Sequence, residues 1–163
     1  MNLVPYIRRL SAAVAAKDKN AIEDVCFELE CTQLECDFWA QDVFDVFANA
    51  LQDGETCSVK GSSNLVLTLY NDFEKLTRQQ VEELLIIFDK SAEYYGDEML
   101  RHSIGDMVAR KYPTQITMEF FKKWLGGDSS ERRHMGRVGF EVLIMTARLD
   151  SNSEKVVRAL LSS

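Results

Sequence analysis

The side chains able to do chemistry are few. His102 and His134 are the only histidines, each preceded by Arg. His102 has Asp106 four residues on, a lone pair of the kind that helix surfaces carry. Two imidazoles so placed supply no catalytic constellation. The four cysteines stand at 26, 31, 36 and 57. Steps of five residues turn a helix by about 140° each, so Cys26, Cys31 and Cys36 do not share a face. With no Cys-x-x-Cys and no neighbouring His, they are read as reduced, metal-free thiols. No phosphate-binding glycine loop is present, and Asp89–Leu100 lacks the sixth-position Gly and terminal Glu of a calcium loop. The expectation is a protein that is not an enzyme and carries no cofactor.

Charge is where the sequence is distinctive. From Asn20 to Val59 it holds ten acids and no Lys or Arg. The first 59 residues carry eleven acids against four bases, while residues 60–163 carry fifteen of each, so the net charge of −7 comes from the first third. A focused negative surface attracts basic partners and speeds their encounter. A pI near 4.9 argues against nucleic acid. Arg132, Arg133 and Arg137 form a basic cluster too small for a nucleic-acid footprint. Lying in the first turns of a helix, they oppose its dipole and call for a negative partner within the fold or outside it.

A chain of 163 residues suits a single domain, 1–163. At 46% apolar and 28% charged it has the composition of a folded globule. No apolar run reaches the roughly 20 residues that span a bilayer. Arg8-Arg9 followed by residues 10–16 has the order of a signal peptide, but the stretch is short and Ala-rich, and the expected compartment is the cytoplasm.

Helical periodicity predicts nine helices. The first covers 3–16, and Asn20 caps a second over 21–31. A third is expected over 35–53, then a loop over 53–63. The fourth, over 63–75, contains Leu65–Tyr70, the one stretch that also reads as a strand. Thr77 and Gln80 make a capping box opening a fifth, which ends near Gly96. The sixth runs from 98 to 111 and is stopped by Pro113. The seventh spans 115–125, the eighth opens at Ser129 or Ser130 and ends near Leu149, and a ninth opens at Ser151 or Ser153. The class is all-α, in antiparallel pairs.

These helices turn the acidic block into a candidate surface. On the second, Phe27 lies opposite Ile22, Val25 and Leu29, with Glu23, Asp24 and Glu30 around it. On the third, Phe38 lies opposite Val43, Phe44 and Phe47, in line with Asp42, Asp45 and Asn49. An aromatic anchor ringed by partner-selecting charge is what a protein-binding patch needs. Stacked helices bury two sides, so either ring is also a candidate core residue.

Ile104-Gly105-x-x-Val108 recurs as Val138-Gly139-x-x-Val142, 34 residues later. A glycine inside a helix costs about 1 kcal/mol and commonly marks close approach of another helix. Residues 97–161 thus resemble HEAT-like helical repeats. By gross features the whole chain, small, acidic, helical and without a catalytic kit, resembles immunity proteins of bacterial contact-dependent and polymorphic toxin systems. That resemblance implies neutralisation of a cognate toxin, basic and possibly a nuclease, by occluding its active site or substrate groove. The alternative is a non-catalytic helical-repeat adaptor in a larger assembly. Neither class requires nucleic acid or membrane, and the sequence leaves the oligomeric state open.

Overall fold

The computed structural model describes all 163 residues and contains helices and turns without a strand. Leu65–Tyr70 is therefore helix. In order the elements are α1 (Val4–Ala15), α2 (Lys19–Cys31), α3 (Gln41–Ala50), α4 (Gly54–Ser58), α5 (Ser63–Asn71), α6 (Arg78–Lys90), α7 (Glu98–Lys111), α8 (Thr114–Leu125), α9 (Ser130–Met145) and α10 (Ser151–Ser162). Two single 3₁₀ turns, Phe73–Lys75 and Ala92–Tyr94, flank α6. The chain divides into two compact units, Met1–Leu100 and Arg101–Ser163.

In the first unit α1 and α2 form a hairpin. α1 ends in a Schellman turn: Asp18 N–H reaches Ala13 O, Lys17 N–H reaches Val14 O, and Lys17 takes φ +53°. Asp18 caps α2 by accepting from Ala21 N–H at 3.1 Å, so the helix opens earlier than a cap at Asn20 would allow. Ile22, Leu29, Phe44, Phe47, Leu69 and Phe88 are fully buried and make the core. Gln80 and Thr77 form the expected capping box, with bonds of 2.9 and 3.2 Å. Its helix stops at Lys90, short of Gly96.

Two expectations fail here. Residues 53–63 are not simply a loop. Asp53 caps the short α4, its Oδ2 accepting from Thr56 N–H at 2.8 Å and from Thr56 Oγ1 at 2.5 Å. The helix expected over 35–53 begins only at Gln41. Residues 32–40 instead form a tight turn fixed by bonds from distant residues, so Phe38 is not on a helix face.

In the second unit α8 and α9 pack closely, and α9's glycines are the reason. A Cβ on Gly136 would lie 2.7 Å from Leu125 N and 2.9 Å from Phe121 O, and one on Gly139 would lie 2.4 Å from the Phe121 ring. Gly105 on α7 meets Met135 O and the Val138 side chain at 3.0 Å. Both echoed glycines thus sit at helix–helix contacts. Phe121 is held between Trp124 and Phe140, ring centroids 5.8 and 5.6 Å away. α9 ends at Met145 in a second Schellman turn, with Ala147 at φ +53°. Just beyond it, the Arg148 guanidinium donates to Ala109 O and Tyr112 O at the end of α7. Ser129 caps α9 as expected, while Asp150 and not a serine caps α10.

Candidate partner-binding surface

α2 buries Ile22, Val25, Cys26 and Leu29 toward its neighbours and leaves the opposite side wet. Phe27 is 62% exposed there, with Glu23 and Asp24 exposed one turn before it and Cys31 one turn after. The ring is not core. An exposed phenylalanine leaves roughly 1.5–3 kcal/mol of burial unrealised in the isolated fold.

The turn that follows α2 is built from below. Lys75 Nζ donates to the carbonyls of Gln33 and Leu34 at 3.2 and 3.3 Å. The buried Gln33 amide oxygen accepts from Ala40 N–H at 2.9 Å. Trp39 is buried against Phe47, gives its N–H to Lys75 O, and takes a bond from Gln80 Nε2 at 3.1 Å. With Gln33 and Trp39 fixed inward, Leu34 and Phe38 point out, 64% and 61% exposed. Leu34-Glu35-Cys36-Asp37-Phe38 thus shows apolar groups alternating with carboxylates on an anchored turn. Leu34 went unnoticed in the sequence because the helical reading made it a linker residue. The five-residue alternation was the available signal.

The acids divide by environment. Glu28 is bound by Arg9 in a two-pronged pair at 2.6 and 2.7 Å, which lowers its pKa from the ordinary value. Glu30 is half-buried, and burial first, then the neighbouring Asp72, raises its pKa while Lys75 opposes. Glu30 therefore faces the 72–75 corner and does not ring Phe27. Glu23 and Asp24 remain exposed on α2.

Asp42 and Asp45, one turn apart on α3, face α1. Together with Asn49 and Asp53 they line a cleft of about 290 Å³ whose other walls are Leu3, Ile7, Val46 and Ala50. Asp45 accepts from Gln41 Nε2 at 2.8 Å. Of the seven residues singled out in the sequence, Glu23, Asp24 and Phe27 share α2, Phe38 stands on the turn, Asp42 and Asp45 share the cleft, and Glu30 is turned aside.

The remaining chemistry is structural. Arg101 Nε donates to His134 Nδ1 at 2.8 Å, so that nitrogen acts as an acceptor. Glu131 precedes His134 at Glu-x-x-His spacing, a motif that was wrongly read as absent from both histidines. No group of three or more His, Cys, Asp or Glu side chains is placed to hold a metal ion. Arg133 donates to Gly127 O and Asp128 O, and Arg137 to Leu161 O, so backbone carbonyls supply these cations with negative partners inside the fold. Cys26 and Cys57 are buried, and burial pushes both thiols up to about 12; Cys31 and Cys36 are exposed. No helix is long and apolar enough to cross a membrane.

No family model matches the chain, and no curated protein or solved structure matches it significantly.

Proposed function

We propose that this protein is an inhibitor of the immunity type, which neutralises a basic toxin domain by covering its active site or substrate groove. One observation carries the proposal: Phe27, Leu34 and Phe38 stand exposed beside carboxylates, in a stretch of forty residues free of Lys and Arg. Large apolar side chains supply the affinity of an interface, and the surrounding charges supply encounter rate and choice of partner. The clamp from Lys75, Gln33 and Gln80 lowers the cost of ordering the turn at the moment of binding. A nuclease toxin would offer the complementary surface, since a groove that binds phosphates is basic. Within the same proposal α7–α10 form HEAT-like helical pairs, a reading supported by the close approaches at Gly105 and Gly139.

The test is co-expression with the protein encoded immediately upstream. Rescue from growth arrest, together with a binary complex whose formation slows with salt, is the expected result. A partner that is acidic, or recovery only within a stable multi-subunit assembly, overturns the inhibitor role. The assembly result would make the chain an adaptor.

A further inference from the structure

We propose that the cleft between α1 and α3 receives an apolar side chain of the partner, flanked in the partner's sequence by Lys or Arg. α1 packs along α2 and reaches α4, but its side toward α3 is open. Ile7 therefore stays 47% exposed at the cleft although it lies on the helix's apolar stripe, and Val4 beside it stays 49% exposed. The cleft's volume of about 290 Å³ admits a few side chains and not a helix. It lies near the lower end of ligand-binding clefts, roughly 300–1,000 Å³.

Charge selects the occupant. Asp42, Asp45 and Asp53 line the cleft and no Lys or Arg does. Asp53 Oδ2 takes two bonds from Thr56, whereas Asp42 and Asp45 each accept one, from Val43 N–H and Gln41 Nε2, and keep their other oxygen for a visiting cation. A second copy of this chain meeting here face to face would set two acidic thirds against each other. A small amphiphilic cation would fill the cleft but leave Val4 wet. A peptide segment continues past Ile7 and covers it. The occupant presupposes the basic partner proposed above, and it seats part of that partner in a cleft that neither Phe27 nor Phe38, the anchors of the proposed interface, lines.

Two short synthetic peptides of equal charge test this, one carrying a Leu flanked on both sides by Lys and one with Ser replacing that Leu. Binding is followed by amide chemical shifts and fluorescence titration. The Lys/Leu peptide should bind at least about tenfold more tightly than the Lys/Ser peptide and shift Ile7, Val46 and Asn49. Its affinity should fall by about tenfold in Asp42→Lys/Asp45→Lys, and in Asn49→Trp, which plugs the cleft from an exposed position. Ile86→Ser, at an exposed apolar residue of α6 that does not line the cleft, should bind the peptide as the parent does. Equal binding of both peptides, a footprint elsewhere, or unchanged affinity in both cleft variants overturns the proposal. So does a dimer in the unliganded protein that Asn49→Trp dissociates, or octylammonium binding as tightly as the peptide. Circular dichroism on each variant separates loss of the cleft from loss of the fold. Once the upstream-encoded protein is in hand, the two proposals separate. Cleft variants that bind it unchanged, while Phe27→Ala weakens it, remove the cleft proposal and leave the inhibitor role standing.

Discussion

At the scale of single residues, the exposed aromatics and thiols carry the account. Phe27 and Phe38 both stand in water, so truncating either should leave helicity intact. Truncation should weaken partner binding by about 2 kcal/mol, mainly through faster dissociation. Circular dichroism with surface-plasmon kinetics measures both, and a loss of helicity would show that the ring supports the fold. The cysteines divide two and two. A thiol reagent at pH 8 should label Cys31 and Cys36 in the native protein and all four in denaturant, because burial shields Cys26 and Cys57 and disfavours their thiolates. Phe27 was legible from the sequence because its surroundings are one regular helix. Phe38 was placed on the wrong element, although its exposure survives the correction. The bonds that shape its turn come from Lys75 and Gln80, about forty residues later, and no local pattern announces them.

At the scale of elements, some local signals were read well, while the aspartate caps at Asp18, Asp53 and Asp150 were missed along with the distant signals. The Thr77–Gln80 box and the stop before Pro113 need only neighbours in sequence, and both appear as expected. α4 was missed because Asp53-Gly54 has the composition of a turn, while the capping bond to Thr56 makes it a helix start. Gly105 and Gly139 were found through their echo. Gly136, whose Cβ position lies against backbone of α8, was passed over for want of one. Gly136→Ala and Gly139→Ala should each destabilise the protein by about 1–3 kcal/mol despite better helix propensity, since neither the α8 backbone nor the wedged Phe121 ring can yield. Ala147→Gly should do the reverse and add about 0.5–1 kcal/mol, by relieving a left-handed alanine in the α9 Schellman turn. Thermal denaturation checks all three. Helix ends also set the acid limb. Asp53 and Asp150 are held below the usual carboxylate range by the bonds they accept, and Glu28 by Arg9. Folded values below unfolded ones mean that this stabilisation is present above about pH 4 and is lost as pH falls through the folded values. The melting temperature should hold from pH 7 to about 5 and then fall, and Asp53→Ala should make that fall shallower.

At the scale of the whole molecule, the asymmetry of charge is the organising fact, and it was wholly legible. Composition places it, and folding only distributes it. Arg9 neutralises Glu28 and burial withdraws Glu30 toward Lys75, while Glu23, Asp24, Asp42 and Asp45, together with Glu35, Asp37 and Glu55, are left to the proposed partner. The most direct test is the association rate of the upstream-encoded protein with the parent and with Glu23→Lys/Asp24→Lys/Asp42→Lys/Asp45→Lys, measured by stopped flow at low and high salt. The account predicts that the parent associates fast at low salt and slows steeply as salt rises. The variant, with native helicity, should associate at least about tenfold more slowly and nearly independently of salt. The same rate and the same salt dependence in both proteins would contradict it, and would reduce the acidic block to a solvated face.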